Sequence, residues 1–84
     1  MSSLRSRGHR LLCDTLKYAR RKARLSQEDL AAKIGEVQSY VSKVEGGTQD
    51  ISPVKCNAWA TACGMPVRDF WDRWLTLLER RVWK

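Results

Sequence analysis

The stretch from Leu25 to Gly47 constrains this chain more than any other. Ser26 is followed three residues later by Asp29, a capping-box-like start for a helix. Leu30, Ala31 and Ile34 then recur at helical spacing, and Gly35 follows where the last turn needs a residue that tolerates positive φ. A second short helix is predicted to follow, over about Gln38 to Glu45, with Val37, Val41 and Val44 on one face and Gly46-Gly47 closing it. Two short helices joined by a glycine-containing turn form a helix-turn-helix candidate; a generic helical hairpin is the plainer alternative.

Particular positions sharpen that reading. Ala31 is small where the two helices approach closest, and Val41 and Val44, three residues apart, pin the second helix onto the first. The opposite face carries Gln38, Ser39, Ser42 and Lys43, with Tyr40 at its flank. These are hydrogen-bonding side chains that a core would not hold. The stretch resembles the lambda-repressor-like (Cro/C1-type, XRE) family, whose pattern is close to L-S-Q-x-x-L-A-x-x-x-G followed by a helix ending in E-x-G. Here the pattern is supplied by Leu25-Ser26-Gln27, Leu30-Ala31, Gly35, Val41, Val44 and Glu45-Gly46-Gly47. The resemblance covers about residues 10–65 and continues beyond them only in character. It implies an all-α, five-helix, lambda-repressor-like fold with the helix-turn-helix at helices 2 and 3, and sequence-specific binding of double-stranded DNA.

Charge agrees with such a partner. The 84 residues carry a net charge of +7. Residues 1–24 hold eight basic residues (Arg5, Arg7, Arg10, Lys17, Arg20, Arg21, Lys22, Arg24) against Asp14 alone, and the remainder balances eight against eight. An excess concentrated on one end favours a polyanion, nucleic acid foremost, although a solvated charged face would look the same. Cys13, Cys56 and Cys63 form no C-x-x-C pair and His9 is the only histidine. Metal binding is therefore not expected, and the thiols read as reduced packing residues of a cytoplasmic protein. No apolar run approaches the ~20 residues of a membrane span, and no signal peptide is evident. Neither a catalytic triad nor a phosphate-cradling glycine loop is present, so neither an enzyme nor a cofactor is expected.

In chain order, residues 1–9 read as a flexible basic arm that could add phosphate or minor-groove contacts, or could merely solubilise. Residues 10–84 read as a single domain. The first helix is expected over Arg10 to Ala23. The resemblance implies that Arg20 pairs with Glu45 and locks the first helix onto the third, and that Gln27 contacts the DNA backbone and braces a base-reading neighbour. Arg21, Lys22, Arg24, Ser42 and Thr48 are the further candidates for phosphate contact. Base contacts are expected from Gln38, Ser39, Tyr40 and Lys43: an amide can pair bidentately with adenine, an ammonium can donate to guanine, and Tyr40 could pack on a thymine methyl or bond a phosphate. Glu36-Val37 departs from the family, which has Ser or Thr as the recognition-helix cap; Ser39 could cap instead, which would shorten the helix and displace Gln38. Gly46 stands where an arginine is frequent.

Ser52-Pro53 should open a fourth helix and Met65-Pro66 a fifth. That last helix is rich in apolar residues, and Phe70, Trp71, Trp74, Leu75, Leu78 and Val82 are expected to form a homodimer interface. The resulting expectation is a small dimeric repressor or autoregulator of prokaryotic or phage type on an inverted-repeat operator. The competing expectation is an antitoxin-type module whose tryptophan-rich helix binds a toxin-like partner protein.

Overall fold

The computed structural model describes residues 6–82, apart from the side chains of residues 81 and 82. Five helices follow one another: α1 (Arg7–Lys22), α2 (Gln27–Ile34), α3 (Gln38–Glu45), α4 (Pro53–Ala62) and α5 (Val67–Val82), with no strand among the described residues. The all-α, five-helix expectation holds.

Local chemistry sets most of the boundaries. The Ser26 hydroxyl accepts from the Asp29 amide at 2.9 Å while the Ser26 amide donates to the Asp29 carboxylate at 3.3 Å, a complete capping box. Gly35 ends α2 in the left-handed region at φ 72°, and the Glu36 amide returns to the Ala31 carbonyl at 2.8 Å. Ser52 caps α4, with Pro53 in its first turn.

α1 begins at Arg7, three residues earlier than expected. Ser6 caps it by accepting from the His9 amide at 3.0 Å. Its first turn is also held from far along the chain. The Trp74 indole donates to the Gly8 carbonyl at 2.9 Å, and the Arg7 guanidinium donates to the Leu78 carbonyl at 2.7 Å. Arg7, Gly8 and His9 thus belong to a helix clasped by α5, and residues 1–5 of the expected arm lie outside the described residues.

The core joins all five helices: Leu16 and Ala19 of α1, Leu30 and Ala31 of α2, Val41 and Val44 of α3, Cys56, Trp59 and Ala60 of α4, and Phe70 of α5. Trp59 satisfies its buried indole by donating to the Leu16 carbonyl at 3.0 Å. The three cysteines are free, and burial pushes the thiols of Cys56 and Cys63 up to about 11, so they stay protonated and act as packing groups at neutral pH. Among the described residues no helix is long and apolar enough to cross a membrane, and no group of His, Cys, Asp or Glu could hold a metal ion.

Phe70, expected at an interface with a second chain, is instead fully enclosed in this core. Trp71 and Trp74 are half-buried and spend their indole N–H groups inside the chain, Trp71 on the Asn57 side-chain oxygen at 2.8 Å. The aromatic surplus of α5 is thus used to hold α1 and α4.

Candidate nucleic-acid interface

α3 turns Val41, Val44 and Glu45 inward and leaves Gln38, Ser39, Ser42 and Lys43 exposed. The inward anchor is strong. Arg20 donates to both carboxylate oxygens of Glu45, Nε to Oε2 at 2.7 Å and Nη2 to Oε1 at 3.0 Å, and its Nη1 donates to the Leu25 carbonyl at 2.8 Å. The side chains of Arg20 and Glu45 are only 11% and 2% exposed. The hydrogen bond to Glu45 holds the Arg20 guanidinium above its usual range. One bidentate pair therefore ties α1, the α1–α2 turn and the end of α3 together.

From that anchor a chain of amides runs to the exposed end of α3. Gln27 Nε2 donates to Glu45 Oε1 at 3.1 Å, and Gln38 Nε2 donates to Gln27 Oε1 at 2.7 Å. The polarity of this chain is fixed by chemistry. A carboxylate only accepts, so Gln27 must turn its NH₂ towards Glu45 and its oxygen towards Gln38; Gln38 must then present its NH₂ to Gln27. Gln38 keeps one amide proton and its oxygen for another molecule, the donor–acceptor pair that matches the major-groove edge of adenine. Its orientation is set before any ligand arrives. Ser26, Gln27, Glu28 and Gln38 line one shallow groove with Arg20 beneath them.

The other residues singled out from the sequence divide. Ser39, Ser42 and Lys43 share the exposed face with Gln38. Thr48 is exposed at the end of α3, where its hydroxyl and amide both donate to the Lys43 carbonyl at 3.3 and 3.0 Å. Tyr40 lies half-buried against the core on the flank towards α4, and the Lys55 ammonium sits 5.9 Å from its ring centre. Burial raises its hydroxyl pKa. Arg21 and Arg24 are exposed, and Arg24 closes α1 with φ at 61°. Lys22 is exposed as well, and borders a cleft with Tyr18, Met65, Asp69 and Arg73 between α1 and the α4–α5 turn.

Two features were not anticipated. Lys55 of α4 pairs with Glu36 in the α2–α3 turn at 2.7 Å, bracing the turn against α4; nothing in the spacing of two opposite charges nineteen positions apart marks such a pair. Val37 occupies the N-cap position of α3 with no side-chain hydrogen bond and is 66% exposed. The missing cap was visible in the sequence, and Ser39 does not take its place, since α3 starts at Gln38. The expectation that Val37 shares the inward face of Val41 and Val44 fails: it precedes the helix in extended backbone, φ −94° and ψ 157°, and its side chain is left exposed.

Residues 16–70 match the family described as helix-turn-helix. No curated protein matches the chain.

Proposed function

Because the chain belongs to the Cro/C1-type (XRE) helix-turn-helix family, we propose that this DNA-binding transcription regulator reads an inverted-repeat operator as a two-fold dimer. α3 would enter the major groove with its leading residues against base edges, and the two copies would address grooves ~34 Å apart. In this reading Gln38 contacts adenine, while Ser39 and Lys43 reach neighbouring bases. Gln27, Ser42, Thr48, Arg21 and Arg24 hold phosphates. Lys22, exposed beside Arg21, is a further phosphate contact in this reading, and Tyr40 meets the backbone from its flank. The observation that carries the reading is the relay Arg20–Glu45–Gln27–Gln38, which presents an oriented amide on an otherwise unfilled polar face.

The surface left for a second copy is smaller than the sequence suggests. It comprises Leu75, 44% exposed, with the outer edges of Trp71, Trp74 and Leu78, and Val54 on α4, 78% exposed; the side chain of Val82 lies outside the described residues. A toxin-like partner protein is the competing occupant of this face. Repression in the cytoplasm by operator occupancy is the mode that fits a chain of this kind.

The test is selection of duplexes from a randomised pool by the full chain, followed by titration of selected and scrambled duplexes at two salt concentrations. A regulator of this kind enriches one inverted repeat, binds it with two chains per duplex, and loses affinity steeply with salt. Equal affinity for every duplex would reject sequence-specific reading.

A further inference from the structure

We infer that Val37 reads the C5-methyl group of a pyrimidine next to the base contacted by Gln38. The inference rests on the DNA-reading function proposed above and names one determinant of its specificity. Val37 is the residue directly before Gln38, at the end of α3 that leads into a groove.

Nothing inside the chain accounts for an apolar residue there. The N-cap position is where a side-chain oxygen satisfies an otherwise orphaned amide, and valine is among the poorest residues for it. The chain uses serine for that task at α1, α2 and α4, where Ser6, Ser26 and Ser52 each accept an amide hydrogen bond. At α3 it forgoes the bond, and the valine is not repaid by burial, since it remains 66% exposed and outside the core. A branched apolar side chain gains only when another apolar group covers it.

The occupant follows from what a duplex offers. Base edges in the major groove present hydrogen-bond donors and acceptors together with a single kind of apolar group, the methyl at C5 of thymine. A methylated cytosine carries the same group at the same atom. The other aromatic or apolar side chain near this face, Tyr40, is turned to α4 with Lys55 beside its ring, which leaves Val37 as the apolar contact at the leading end. Gln38 is fixed by Gln27, so a base pair seated on Gln38 has a defined neighbour, and the valine stands at that neighbour's edge.

The experiment uses the full chain and a duplex selected from the randomised pool, with uracil replacing thymine one position at a time. At one position in each half-site, loss of the methyl should weaken binding roughly four-fold, the change carried by one methyl-sized apolar contact. Cytosine paired with guanine changes the donor–acceptor pattern as well as lacking the methyl, so it is compared with 5-methylcytosine in the same pair, which should bind more tightly. Val37→Ser should erase the thymine–uracil difference while raising resistance to urea, because it restores a cap; Val37→Ile should keep the difference. Uracil tolerated at every position of a tightly bound duplex, or a thymine–uracil difference that survives in Val37→Ser, would overturn the assignment and leave the DNA-reading function standing. A pool that yields no preferred duplex would overturn both.

Discussion

The two helices of the motif, α2 and α3, are each eight residues long but are stabilised in opposite ways. α2 is provided for locally: a capping box at Ser26 and Asp29, two acidic residues in its first turn and a left-handed glycine at its end. α3 has neither a side-chain cap nor an acidic residue in its first turn, and Gly46 closes it in a right-handed conformation. A helix that short does not persist alone. What holds α3 is the body of the protein, through Val41 and Val44 in the core and Glu45 on Arg20. α2 is locally specified, and α3 is held by distant parts of the chain, with its polar face left outward.

The largest effect should come from removing that distant anchor. Glu45→Ala leaves the Arg20 guanidinium buried without its partner, and unfolding in urea should register a loss of about 3–5 kcal/mol. A double replacement, Arg20→Met with Glu45→Leu, should recover much of that stability while releasing Gln27 and with it the orientation of Gln38. If the double variant kept full operator specificity, the relay would be structural only. Next in size, Gln38→Ala should weaken binding to a selected operator by about 1–3 kcal/mol with the urea midpoint little changed. An equal loss on scrambled DNA would remove Gln38 from the base readers.

A smaller pair of changes addresses the two helix starts directly. Ser26→Ala removes the reciprocal bonds of the capping box and should cost about 1 kcal/mol. Val37→Ser should move stability the other way, by up to about the same amount. Chemical denaturation of the two variants side by side gives the sign, and losses of the same sign in both would mean that α3 has no cap to gain.

The same contrast explains what could be read in advance. α2, the turn and most of α3 were legible because their signals are local: a serine and an acid three apart, a glycine after the last turn, Val41 and Val44 on one side. Val37 was grouped with those two because a sequence pattern does not mark where helical backbone starts, and one residue before that start its side chain turns outward. The Arg20–Glu45 pair, twenty-five residues apart, was reachable only through the family resemblance. The start of α1 was misplaced because Ser6-Arg7-Gly8 has little helical character of its own and is held by Trp74 and Leu78 from the opposite end of the chain. For the same reason the tryptophans of α5 looked surplus. An apolar stripe states that a surface will be covered, and does not state whether the cover is Gly8 and Asn57 of the same chain or a second molecule. The Glu36–Lys55 pair left no trace at all in the spacing.

The smallest prediction concerns a place where local preference is overridden. Arg24 closes α1 with φ at 61°, its amide bonded to the Arg21 carbonyl at 2.9 Å and the Leu25 amide to the Arg20 carbonyl at 3.2 Å, the paired bonds of a Schellman ending that normally falls to glycine. A side chain in that region costs about 1–2 kcal/mol, and glycine returns part of the gain through its greater freedom when unfolded, ~0.5–1 kcal/mol. Arg24→Gly should therefore stabilise the fold by somewhat under about 1 kcal/mol. A cationic side chain stands at a strained position where glycine would serve the fold better, and binding is where a compensating contribution can be tested. If Arg24 meets a phosphate, Arg24→Gly should bind every duplex more weakly, selected and scrambled alike, and lower the salt slope by about 1. A more stable variant with an unchanged salt slope would assign Arg24 to no contact and leave the strain without a function.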